Sequence, residues 1–178
     1  MPISSSGRDF YVPDTYWLIG DSHVLRGSGL AVGLNMAAIE NGDKFHMDTR
    51  VGARSISFID FATENYLSPS DKIVVSLGIN SSKMPLDEAR KQVEDLIVTF
   101  GGRECFWIFP PVESKDETNG YWEMMEDAVK PCFVFDSKKE LKPPKSAIMG
   151  KFHLKIGYAR KVWAPKVWDW IKNQRGKE

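Results

Sequence analysis

YWLIGDSHVLRGSG, running from Tyr16 to Gly29, is the stretch whose reading decides the architecture. Its opening, Trp17-Leu18-Ile19, is a short apolar run of the kind that forms a strand buried on both faces. The run stops at Gly20-Asp21-Ser22, and a segment studded with Gly27 and Gly29 follows. A strand that ends in a small polar elbow presents a hydroxyl at the carboxyl edge of a sheet, where α/β domains keep their ligands. Ser22 is therefore either a nucleophile or, with Asp21, a plain helix N-cap.

Working outward, strands and helices alternate. Leu30, Ala31, Leu34, Ala37 and Ala38 fall at helical spacing, and Asn41-Gly42 punctuates the end. Lys44 to Val51 alternates as a second strand, broken by Gly52-Ala53-Arg54-Ser55. Ser55 is placed to cap a helix carrying Ile56, Ile59, Phe61, Ala62 and Tyr66. Ile73 to Leu77 is the clearest strand and halts at Gly78-Ile79-Asn80. A helix led by Pro85 follows, with Leu86, Ala89, Val93, Leu96, Ile97 and Phe100 on one face. Cys105 to Phe109 is a fourth strand, Tyr121 to Val129 a helix, and Cys132 to Phe135 a short last strand. Ser137 to Lys151, with Pro143-Pro144 and no periodicity, reads as a long loop. The final helical set, Ile156 to Ile171, is interrupted by Pro165, so a kink or two short helices are expected there. This alternation predicts an α/β three-layer α/β/α sandwich on a mostly parallel five-stranded sheet.

Composition bounds the function. A chain of 178 residues, 42% hydrophobic, fits one domain over positions 1–178, with Met1 to Asp14 as a polar lead-in. The 24 basic and 24 acidic residues cancel, so no long-range attraction to nucleic acid or anionic membrane is built in, and neither is expected as a partner. Oligomeric state is not readable. Cys105 and Cys132 sit in apolar runs and are expected as buried free thiols. Without C-x-x-C or H-E-x-x-H, and with His23, His46 and His153 far apart, no metal is expected. The loop after the first strand lacks both G-x-x-x-x-G-K-[ST] and G-x-G-x-x-G, so no nucleotide or flavin cofactor is expected. The N-terminus lacks a signal-peptide pattern and no apolar run reaches membrane-span length. The expectation is a soluble or cytoplasmic protein, with membership of a larger particle such as a virion left open.

Four places stand at strand ends or just before the last helix: Gly20-Asp21-Ser22, Gly52, Gly78-Ile79-Asn80 and His153. In a parallel sheet the first three share one edge. Together they suit acyl transfer. Ser22 attacks a carbonyl, His153 takes its proton and returns it to the leaving group, and the Ser22 and Gly52 amides with the Asn80 side chain hold the oxyanion. His23 and Ile79 flank these positions as candidates for the substrate cleft.

These blocks resemble the SGNH, or GDSL, hydrolase superfamily over nearly the whole chain and in the right order. Gly20-Asp21-Ser22 matches its first block, Gly52 its second-block glycine, Gly78-Ile79-Asn80 its G-x-N, and His153-Leu154 with Gly157-Tyr158 its last block. The resemblance implies a flavodoxin-like sandwich and hydrolysis of esters, of the lipase, acylhydrolase or carbohydrate-esterase type. Carbohydrate O-acetyl groups are the first substrate class to try, and a small-molecule or carbohydrate ester is the expected partner. The alternative is a weak or inactive module that binds a glycan within a larger assembly.

The chain departs from the pattern in three places. His23 stands where the name-giving leucine would be, and Ser81 where an Asp often follows the Asn. The family's acid, three residues before the histidine, is Gly150. A backbone carbonyl near Gly150 could hold His153 as a Ser-His dyad, a carboxylate such as Asp136 could reach in, or turnover could be lost. Other charges remain to be placed. Arg26, Arg50 and Arg54 could meet an anionic substrate, although such residues more often pair with surface carboxylates. The lysine run Lys138, Lys139, Lys142, Lys145, Lys151 and Lys155 could draw in an anionic polysaccharide, although a solvated loop is the simpler reading. Trp168 falls off the apolar face of the last helix, where a sugar-stacking platform could form.

Overall fold

The computed structural model describes residues 12–24, 29–112, 117–150 and 153–174. The lead-in before position 12, Leu25 to Ser28 with Arg26 and Gly27, and Lys151 lie outside the described residues.

The core is a five-stranded sheet of order β2-β1-β3-β4-β5. Its strands are β1 (Thr15–Gly20), β2 (Lys44–Thr49), β3 (Lys72–Ser76), β4 (Cys105–Phe109) and β5 (Phe133–Asp136). Every neighbouring pair is parallel. Parallel pairing requires crossovers, and helices supply them: α1 (Gly29–Glu40), α2 (Phe61–Glu64), α3 (Leu86–Thr99) and α4 (Tyr121–Ala128). Because strand side chains alternate, Ile73 and Val75 enter one half-core while Val74 enters the other. The first half-core packs Phe58, Phe61, Trp107, Val93 and Met125. The second joins Leu18, Phe106 and Ile108 to α1 and to the C-terminal helix α7 (Ala164–Gln174). This is the expected three-layer α/β/α sandwich.

Several local expectations need correction. Cys105 and Cys132 are joined as a disulfide rather than left as free thiols. Phe106 pairs in register with Phe133, so the residues preceding them lie side by side, with Cα atoms 4.7 Å apart. The single helix expected after Ser55 is instead a 3-10 turn, Ser55–Phe58, and the short α2, leaving Ile56 and Tyr66 exposed. The stretch after β5 is not a loop. Asp136 caps α5 (Ser137–Leu141) by accepting a hydrogen bond from the Lys139 amide at 3.1 Å. Two short strands, β6 (Ile148–Met149) and β7 (His153–Leu154), then form an antiparallel hairpin.

Beyond the hairpin, α6 (Ile156–Tyr158) runs through a π-helical turn, Ala159–Trp163, into α7. The wider turn removes the need for a backbone N–H at Pro165, so the proline is absorbed at the start of α7. Trp168 is buried edge-on against Tyr16, ring centroids 5.1 Å apart, and forms no stacking platform.

Gly29 marks the tightest packing between the helix layer and the segment that follows His153. A Cβ there would lie 2.1 Å from the Ile156 carbonyl oxygen and 2.7 Å from the Arg160 amide nitrogen, both backbone atoms. Gly29→Ala is expected to destabilise the fold by about 2–3 kcal/mol. In thermal denaturation that lowers Tm by roughly 5–10 °C, and an unchanged Tm would contradict the close packing.

Candidate active site

Three loops at the carboxyl edge of the sheet build the site. After β1 the chain turns through Asp21, Ser22 and His23, fixed by the Asp21 amide donating to the Ser76 carbonyl at 3.2 Å and by the Val24 amide donating to the Asp21 carbonyl at 3.2 Å. The Asp21 carboxylate accepts from the His23 amide at 2.9 Å, an Asx-type closure that lets a polar side chain stabilise the elbow. After β2, the Arg50 amide donates to the Gly20 carbonyl at 2.9 Å and holds the Gly52 turn against the Ser22 turn. After β3, the Gly78 carbonyl accepts from the Tyr121 hydroxyl at 2.6 Å and from the Ser81 amide at 2.9 Å. Burial pushes the Tyr121 phenol well above its ordinary value, with the negative charge of Glu117 next in effect, so it serves as a neutral donor.

Asn80 ties the loops together. Its amide nitrogen donates to the Asp21 carboxylate at 3.2 Å and to the Ala53 carbonyl at 3.0 Å. Both amide hydrogens are thus engaged at rest, and the oxyanion role expected for Asn80 requires one of them to be shared with an incoming oxygen. The Ser22 and Gly52 amides, in contrast, donate no hydrogen bond within the described residues. Ile79 is buried rather than lining an open cleft.

The hairpin brings His153 to Ser22. His153, paired across the hairpin with Met149, lies with Nε2 2.9 Å from the Ser22 hydroxyl oxygen although 131 residues separate them. Burial holds its pKa below the ordinary 6.5, with the His23 ring acting in the same direction and the Asp21 charge opposing it. A neutral imidazole at physiological pH can accept the serine proton.

His23, expected to flank the substrate, is held inside the turn after β1. It is buried, its Nδ1 is 3.0 Å from the Asp21 carboxylate, and its ring stacks on His153 with centroids 4.7 Å apart and planes 21° from parallel. The sequence reading missed this contact. Its only signal was an acid and a histidine two residues apart in one tight turn.

Gly150 sits at a left-handed φ of +65°, which a residue with a Cβ adopts only under strain, so a hairpin turn occupies the position where the family pattern has its acid. Asp136 is committed to α5, with its second oxygen 3.0 Å from the Lys139 ammonium. Lys139 also reaches Glu126, and with Lys138 and Lys142 it rims a recess of about 560 Å³ floored by Pro111, Val112, Pro143 and Ile148. Arg50 pairs with Asp48 at 2.6 Å, as expected of a surface arginine. Among the described residues, no three His, Cys, Asp or Glu side chains cluster as a metal site. No helix among them is long and apolar enough to cross a membrane.

No protein-family model matches the sequence, and no curated protein matches it. Solved structures do. The catalytic domain of peptidoglycan O-acetyltransferase A from Streptococcus pneumoniae, solved with a methylsulfonyl adduct, is 16% identical with TM-score 0.65, over 94% of this chain and 98% of that one. A G-D-S-L-family protein from Desulfitobacterium hafniense is 11% identical with TM-score 0.67, over 87% of this chain and 98% of that one. A family two carbohydrate esterase from Clostridium thermocellum, in complex with cellohexaose, is 15% identical with TM-score 0.65, over 93% of this chain and 66% of that one. At such identities the likeness is one of architecture: the chain has the fold of the SGNH, or GDSL, hydrolases.

Proposed function

We propose that this protein is a serine esterase that removes small acyl groups, with O-acetyl groups on carbohydrate as the favoured substrate class. The observation that carries this reading is the 2.9 Å contact between the Ser22 hydroxyl and His153 Nε2 at the carboxyl edge of the sheet. In the first half-reaction the Ser22 oxygen bonds to the carbonyl carbon while its proton passes to His153 Nε2 and the carbonyl electron pair moves onto oxygen. The Ser22 and Gly52 amides, which donate no hydrogen bond within the described residues, stabilise that oxyanion with a shared N–H of Asn80. Collapse breaks the bond to the alcohol oxygen, which leaves with the proton from His153. Water then gives a proton to His153 and attacks the acyl-enzyme, and collapse of that second adduct returns the proton to Ser22 and releases the carboxylic acid.

Two of the structural neighbours act on carbohydrate by their descriptions, an O-acetyltransferase and a carbohydrate esterase, which supports the substrate class. A second reading, a module that binds a glycan without cutting it, draws on Gly150 at the acid position. The separating experiment offers the protein p-nitrophenyl acetate and an O-acetylated oligosaccharide and follows p-nitrophenolate and acetate. The esterase reading expects release from both above the buffer rate. No release from either, with retained binding of the oligosaccharide, overturns it in favour of the binding module.

A further inference from the structure

The base of a serine hydrolase must be held in orientation, and in the family pattern that work falls to an acid three residues before the histidine. Here that position is a glycine in a turn. The buried carboxylate beside His153 belongs instead to the nucleophile's own turn. Asp21 is 2% exposed and His23 6%. One Asp21 oxygen meets both the His23 amide at 2.9 Å and His23 Nδ1 at 3.0 Å, so the His23 ring cannot turn without breaking a buried contact. That ring covers the face of His153 at 4.7 Å, nearly parallel, while Ser22 holds His153 at Nε2. His153 is thus gripped at its edge by the nucleophile and across its face by an anchored ring.

We propose that His23 is a positioning residue for His153: the Asp21–His23 pair seats the base and takes over the orienting work of the acid absent at position 150. The inference rests on the esterase reading. Among the described residues, the titratable groups bearing on His153 are His23, which disfavours its protonation, and Asp21, which favours it; both lie in the turn after β1. Replacing His23 therefore has an electrostatic signature that a packing role lacks.

Two substitutions divide the contact. His23→Phe keeps a ring over His153 and loses the tie to Asp21, whereas His23→Gln keeps a donor toward Asp21 and loses the ring. The test compares these variants with wild type and Ser22→Ala in two assays: kcat and KM for p-nitrophenyl acetate across pH, and the titration of the His153 imidazole by 15N NMR. Both His23 variants are expected to lose between about tenfold and a hundredfold in kcat, the cost of a misplaced catalytic group, with little change in KM. In both, the His153 midpoint and the acid limb of kcat/KM move to higher pH, because a neighbour that disfavours protonation is gone. If His23→Gln does not fold, His23→Phe, nearer in shape, decides. Loss of kcat without a moved midpoint, a moved midpoint without loss of kcat, or neither change overturns the assignment. Ser22→Ala keeps the two readings apart: wild-type turnover in that variant sinks the esterase, whereas its inactivity beside unaltered His23 variants sinks only the positioning role.

Discussion

Ser22→Ala and His153→Ala are each expected to lower kcat for p-nitrophenyl acetate by about 10⁴-fold or more, with the double variant no worse than either single one. The expectation follows from the two side chains acting as one unit. Ser22 without a base is an ordinary hydroxyl, weakly nucleophilic at neutral pH, and His153 without Ser22 has no proton to take. Their 2.9 Å contact means that each substitution removes the same step. KM should stay within about threefold, since neither group is asked to bind the ground state. Steady-state kinetics on the three variants provide the check. Multiplicative losses would mean that the two residues act separately and that the pair is not the engine of the reaction.

Asn80→Ala is expected to lower kcat by about 10²- to 10³-fold, the cost of losing one donor to a developing oxyanion. Here the substitution also unties two loops, because the Asn80 amide bridges the Asp21 carboxylate and the Ala53 carbonyl. Asn80→Asp removes both contributions at once. It preserves shape but sets a second carboxylate against Asp21 and turns a donor toward the oxyanion into a negative charge. It should therefore be at least as damaging as Asn80→Ala, with the deficit shrinking at low pH as the new carboxyl protonates. Kinetics across pH for the two variants measure this. An active Asn80→Asp would show that neither the loop ties nor the oxyanion depends on the Asn80 donors.

How much was legible in the sequence follows from the range of the interactions involved. The strands β1, β3 and β4 were plain because burial on both faces writes an unbroken apolar run, and α3 because Ala89, Val93 and Leu96 fall on one face. The edge loops could be read since each begins where such a run stops. What could not be read depends on which strands become neighbours. The Cys105–Cys132 disulfide exists because β4 and β5 are adjacent, which no local pattern records. The hairpin carrying His153 has strands of two residues each, too short to show alternation, and α5 depends on one capping contact from Asp136. Trp168 fell off the periodic face in sequence, yet the π-helical turn before α7 shifts the phase of the helix, and Trp168 packs on Tyr16. The stacking of His23 on His153 joins residues far apart in the chain, and only the assembled site displays it.

If Ser22 is a live nucleophile activated by His153, it reacts with an active-site label. The protein is treated with a fluorophosphonate at neutral pH, its intact mass is measured, and the adduct is mapped by peptide mass spectrometry. A single adduct is expected on the peptide containing Ser22, absent in Ser22→Ala and strongly slowed in His153→Ala. No adduct on Ser22, under conditions that label a known serine hydrolase, would contradict this and favour a module that binds without cutting.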